Sequence, residues 1–132
     1  CWNPNCNNLP AIVSTADSAS AGPGSDPNNA NTIGTTFEIL FIDNFTGTIK
    51  TASTDDKFVG AATVGITASV AGKQFQVSTG DNEVNLNGEA GSATTGGLKG
   101  SRIKFTAIAA NLYAVEGQLL GNGTIATPFD AQ

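Results

Sequence analysis

The chain has 132 residues, of which 39% are hydrophobic and 13% are charged, and its formal net charge at pH 7 is −5. This length predicts one domain with a single core, and the acidic balance argues against nucleic acid or an anionic membrane as a partner, since both attract positively charged proteins. No apolar run approaches the roughly 18 residues that a membrane-spanning helix requires, so we expect no membrane-spanning segment.

The low charge content is typical of exported β-proteins. A soluble domain usually has about 25% charged residues, whereas here Ser, Thr, Asn and Gln must supply most of the polar surface. The chain begins at Cys1 and contains no Met, so we expect that an upstream segment such as a signal peptide was removed. A lipid anchor on Cys1 is a further interpretation. Cys1 and Cys6 are predicted to form a small disulfide ring rather than free thiols, which requires an oxidising, extracellular or cell-surface location.

Residues 1–34 are predicted to form an extended segment ahead of a domain at residues 35–132. Ile12 and Val13 lie in a short apolar stretch, residues 11–15, which is a strand candidate separated from the remaining strands. The residues between are rich in Ser, Ala, Gly, Pro and Asn, as in a flexible linker. A lone strand gains most by adding to an open sheet edge. We therefore expect Ile12 and Val13 to pair with a neighbouring copy or to fold back on their own sheet.

Apolar and polar residues alternate through much of the domain, which predicts half-buried strands. The clearest case is residues 61–77, where two alternating runs flank Ala71-Gly72. We predict a hairpin with this pair as its turn, in the middle of an antiparallel sheet. Further strands are predicted at residues 35–43, 48–51, 83–87, 102–108, 112–120 and 124–127. Pro128 is predicted to end the last strand or to place it at an edge.

Residues 35–43 differ from the other predicted strands because apolar side chains occur on both faces. This pattern predicts a strand buried on both sides, by a second sheet or by a neighbouring subunit. About eight short strands, with turn residues between them and no helical period, predict an all-β fold. The expected architecture is a single antiparallel β-sandwich, with a barrel-like arrangement as the alternative.

No motif in the sequence indicates an enzyme. The chain has no His, and so lacks the commonest general base and metal ligand. No Gly-rich phosphate loop precedes a helix. We expect a non-enzymatic protein without a required cofactor.

Calcium is the one metal for which the sequence offers candidate ligands. Oxygen-bearing side chains alternate along one stretch, at Asp81, Glu83, Asn85 and Asn87. Glu83, Asn85 and Asn87, followed by Gly88, partly resemble the start of a calcium-binding loop, but Thr94 stands where such a loop carries its bidentate Glu. The apolar residues between the ligands favour a solvated strand face instead.

Two sequons predict glycosylation at Asn44 and Asn122, both at predicted turns. Binding of a free glycan has less support, because sugar platforms normally use exposed aromatic rings and the chain has one Trp and one Tyr.

These observations predict an extracellular structural protein that assembles with copies of itself, as a filament, pilus-like or surface-layer subunit. Exchange of the N-terminal strand is the expected route of assembly. The alternative is a secreted adhesion or binding module for glycan or calcium.

Overall fold

The computed structural model describes residues 33–51, 53–66 and 71–132. These residues form eight strands and no helix, which confirms the all-β prediction. In chain order the strands are β1 (Thr36–Leu40), β2 (Gly47–Lys50), β3 (Lys57–Ile66), β4 (Lys73–Gln76), β5 (Glu83–Leu86), β6 (Arg102–Ala109), β7 (Leu112–Gly121) and β8 (Phe129–Asp130).

The strands form two sheets. The larger sheet has the order β1-β6-β7-β3-β4, and the smaller has the order β2-β5-β8. Every pair is antiparallel except β3 with β7, which is parallel. Neither sheet closes on itself, so the architecture is sandwich-like rather than a barrel.

The apolar faces of both sheets contribute to one core. In β6 the apolar residues of the alternating pattern, Ile103, Phe105 and Ala107, are all buried, and in β5 the same holds for Val84 and Leu86. Alternation predicts these faces correctly because each strand has one face toward the core and one toward solvent.

Three aromatic rings lie at the centre of this core. The Phe58 ring lies 5.3 Å from the Phe105 ring and 6.5 Å from the Tyr113 ring, which it meets edge-on. Offset and edge-on pairs of this kind add about 0.5–1.5 kcal/mol beyond the area that they bury.

The hairpin at residues 61–77 forms, but the prediction of its turn and position is wrong. Val64 lies opposite Lys73, so Ala71-Gly72 is not a two-residue turn. β4 is an edge strand, and β7 occupies the middle of the sheet. The alternating pattern predicts which face of a strand is buried, but it does not predict which strands lie next to it in the sheet.

The last predicted strand is also wrong. Residues 124–127 are not in a strand, and β8 follows Pro128 instead. The Pro128 carbonyl accepts a hydrogen bond from the Asn85 N–H at 2.6 Å, so proline takes part in this pairing through its acceptor. Proline has no N–H to donate, but at the start of an edge strand this costs no hydrogen bond of the sheet.

The Gly-rich loop at residues 88–100 is hydrogen-bonded to neighbouring strands and loops. The Phe45 N–H donates to the Gly97 carbonyl at 2.8 Å, and the Leu98 N–H donates to the Leu120 carbonyl at 3.1 Å. Gly97 has a φ of +103°, and a Cβ there would overlap with the Phe45 carbonyl oxygen. Only glycine therefore fits this close approach of two backbones.

Candidate functional site

The open edge of the large sheet at β1 is the first candidate site. Among the strands that the structure describes, β1 pairs only with β6. The Phe41 N–H donates to the Ser101 carbonyl at 2.9 Å, in register with the β1–β6 ladder. Bonded and non-bonded positions alternate along an antiparallel pair. The backbone groups of Thr36, Glu38 and Leu40 therefore point away from β6, toward the open side.

Exposed apolar side chains are concentrated along this edge. Among the described residues, five large hydrophobic side chains are exposed: Ile33, Leu40, Ile42, Val59 and Ile108. The exposed fractions are 61% for Ile33, 49% for Leu40 and 63% for Ile42, and these three lie on β1 or within three residues of it. Ile108 belongs to the adjacent strand β6. We call Ile33, Leu40 and Ile42, together with β1, the β1 edge.

The prediction that residues 35–43 are buried on both faces is wrong within a single chain. Phe37 and Ile39 point inward and are partly buried against the core, whereas Leu40 and Ile42 face solvent. Burial by a neighbouring subunit, the second form of that prediction, stays a prediction.

The other edges are better protected against pairing. β4 begins with the exposed Lys73 and β2 ends with the exposed Lys50, and lysine on an edge strand opposes addition of another chain. β8 has only two residues. The one charge on β1, Glu38, lies 3.8 Å from Arg102 of β6, across the sheet.

A shallow polar groove on the outer face of the large sheet is the second candidate site. Its volume is about 470 Å³. Polar and charged side chains supply most of its lining, among them Glu38, Arg102, Lys104, Glu116, Gln74 and Gln118. The Lys104 ammonium group donates a hydrogen bond to the Glu116 carboxylate, and this contact raises the pKa of Lys104. The groove therefore offers paired charges and side-chain amides on a solvated face.

The four candidate calcium ligands lie in a row rather than in a loop. Asp81, Glu83, Asn85 and Asn87 are all half-buried, on the face of β5 and its flanks opposite the core. The Asn85 Oδ1 accepts a hydrogen bond from the Thr48 hydroxyl at 2.6 Å, and the Asn87 Oδ1 accepts one from the Glu89 N–H at 3.0 Å. In the described part of the chain, no three His, Cys, Asp or Glu side chains form a group that could hold a metal ion. Calcium binding remains a prediction from the sequence.

The two sequon asparagines occupy different surroundings. Asn44 is exposed between β1 and β2, and its Oδ1 accepts the Lys99 N–H at 2.9 Å. Asn122 is half-buried after β7, and its Oδ1 accepts the Ala93 N–H at 2.6 Å. Both lie outside strands, as predicted, and Asn44 is the more accessible to a glycosylating enzyme.

Asp56 is a buried carboxyl group at the turn before β3, and only 3% of its surface is exposed. Burial, followed by repulsion from Asp55, raises its pKa, while Lys57 opposes this effect. Asp56 lies away from both candidate sites, so we expect its raised pKa to affect how the stability of the domain depends on pH rather than binding.

The remaining predicted sites lie outside the described residues. They are the disulfide of Cys1 and Cys6 and the assembly strand with Ile12 and Val13. Nothing in the sequence pattern marked Ile33 and Ile108 as exposed residues. Ile33 lay at the border of the polar segment, and Ile108 follows an alternating strand at a bulge after Ala107.

Comparisons with protein-family models, with curated proteins and with solved structures found no match to this chain. The described residues contain no helix with the length and hydrophobicity needed to cross a membrane.

Proposed function

We propose that this protein is a non-enzymatic, extracellular structural protein that assembles with copies of itself, as a subunit of a filament, pilus-like fibre or surface layer. The observation that supports this proposal is the β1 edge, where exposed apolar side chains coincide with a strand edge that no other described strand covers. Monomeric soluble proteins usually protect such an edge with charges, proline or a covering element.

The gain from covering the β1 edge is large enough to matter. Full burial of an Ile or Leu side chain contributes about 1.5–3 kcal/mol relative to exposure. Ile33, Leu40 and Ile42 each keep about half or more of their surface exposed, so covering all three contributes on the order of 3 kcal/mol. The hydrogen bonds of an added strand increase this value.

The test compares two substitutions that introduce the same charge at different places. Leu40→Glu puts a carboxylate on the β1 edge beside its cross-strand neighbour Arg102, so the fold is retained while an added strand would have to bury the charge. Val59→Glu is the matched control, because Val59 is also exposed but lies on β3. We expect sedimentation velocity and electron microscopy to show assemblies for the parent and Val59→Glu, and monomers for Leu40→Glu. A monomeric parent protein, or equal assembly of all three, contradicts the proposal.

The outer-face groove favours a second candidate function, which is binding of a glycan. Carboxylates, a guanidinium group and side-chain amides line it together, and such planar polar groups fix a small ligand through hydrogen bonds. Arg102→Ala should then abolish binding on an oligosaccharide array, while Lys99→Ala, outside the groove, should retain it. An array on which the parent protein binds no glycan excludes this candidate.

A further inference from the structure

We infer, on the basis of the assembly proposed above, that residues 11–15 of a second copy form the strand that completes the β1 edge. Each copy then donates one strand and accepts another. The partner is a second copy of this chain, and the contact is backbone pairing to the open side of β1 with apolar cover on both faces.

The β1 edge needs apolar cover on both faces, and residues 11–15 offer it. Phe37 and Ile39 remain only partly buried on the inner face, while Leu40 is exposed on the outer face. Consecutive residues of a strand point to opposite faces. In a strand beside β1, Ile12 and Val13 therefore cover the inner and the outer face at the same time.

No other described edge has this property. β4 carries the partly buried Phe75 on its inner face, but Gln74 and Gln76 are exposed and polar on the outer face. On β2, Ile49 is already fully buried, so an added strand has no apolar surface to cover there. The match of apolar residues on both faces selects β1.

Charge favours residues 11–15 over a second copy of β1 as the added strand. If two β1 strands paired antiparallel in the fully overlapping register, Glu38 would face the Glu38 of the partner, and like charges directly opposite are destabilising. Residues 11–15, in contrast, carry no charge, and they equal β1 in length, which is five residues.

The chain between donor and acceptor is long enough for exchange between copies. Residues 16–32 connect the donor stretch to Ile33. Fully extended they span about 55 Å, whereas a domain of about 100 residues has a radius of gyration of about 13 Å. The donor stretch can therefore reach the β1 edge of an adjacent copy.

The experiment uses two full-length variants, each blocked on one side of the contact. The donor-blocked variant carries Ile12→Asp and Val13→Asp, with Ser18→Asp and Ser20→Asp as a control of equal charge. The acceptor-blocked variant is Glu38→Pro. Because the Glu38 N–H points to the open side, proline there preserves the bonds to β6 and removes a donor from the edge. If its urea unfolding curve shows a folding defect, Leu40→Glu takes its place.

We expect the parent and the serine control to assemble, and each blocked variant alone to be monomeric. An equimolar mixture of the two blocked variants should form a one-to-one dimer and stop there, because one intact donor meets one intact acceptor. A mixture that stays monomeric shows that the segment folds back on its own sheet, and this overturns the inference. Assembly of the donor-blocked variant while the acceptor-blocked variant is monomeric also overturns the inference, but leaves the proposed function standing. A monomeric parent overturns both.

Discussion

Phe105 and Phe75 provide a quantitative test of how the core is distributed. Both side chains point inward, but Phe105 is fully buried and contacts the Phe58 ring, whereas Phe75 on the edge strand β4 is only partly buried. Phe105→Ala should therefore lower the free energy of unfolding by about 3–5 kcal/mol. Phe75→Ala should cost about half as much, because hydrophobic stabilisation follows the area removed from water. A domain of this size has a total stability of about 5–15 kcal/mol, so the first substitution removes a large share of it.

Equilibrium urea unfolding of the parent and both variants, followed by fluorescence, measures these differences. The slope of free energy against urea should stay constant, since a changed slope indicates a change in the unfolded state or an intermediate. Equal losses for the two variants, or a loss below about 1 kcal/mol for Phe105→Ala, would refute the assigned positions of β4 and β6.

Three further predictions concern the backbone, pH and metal. Gly60 has a φ of +115°, and a Cβ there would overlap with the Val115 carbonyl oxygen. Gly60→Ala should therefore lower the melting temperature far more than Gly80→Ala, because a Cβ at Gly80 meets no atom within 4 Å. The pKa of Asp56 is raised in the folded state, so the stability of the domain should fall as the pH rises above about 3.8, the ordinary pKa of this group. Asp56→Asn should therefore have a higher melting temperature than the parent at pH 7. An unchanged or lower melting temperature contradicts the raised pKa. Addition of a chelator should leave the melting temperature unchanged, and a clear drop would instead support the calcium site.

The faces of the strands could be predicted from the sequence, but their neighbours could not. In β6 the alternation of Ile103, Phe105 and Ala107 with polar residues is a local signal, and it identified the buried face. Pairing joins distant segments, so no local pattern could show that β3 runs parallel to β7 or that β4 lies at an edge. The stretch at residues 124–127 had an alternating pattern too short to separate a strand from a loop.

The candidate site was visible in the sequence as a pattern with two interpretations. Apolar residues on both faces of residues 35–43 fit a strand buried inside the chain or a strand that a neighbour covers. Among the described residues, β1 lies at the edge of its sheet, and Leu40 and Ile42 on its outer side are exposed. The outer-face groove gave no comparable signal, because Glu38, Arg102 and Glu116 come together only through the pairing of three strands.

The parallel pairing of β3 with β7 affects how this chain reaches its folded state. Each rung of that pair joins residues more than fifty positions apart, from Lys57 with Leu112 to Ile66 with Gly121. Such non-local pairs form slowly, because the intervening chain loses entropy before the contacts stabilise it. β7 is also the middle strand of the large sheet. A chain that has been synthesised only as far as β5 therefore lacks the strand with which β3 pairs. This order of strands delays formation of the core until the C-terminal third of the chain is available.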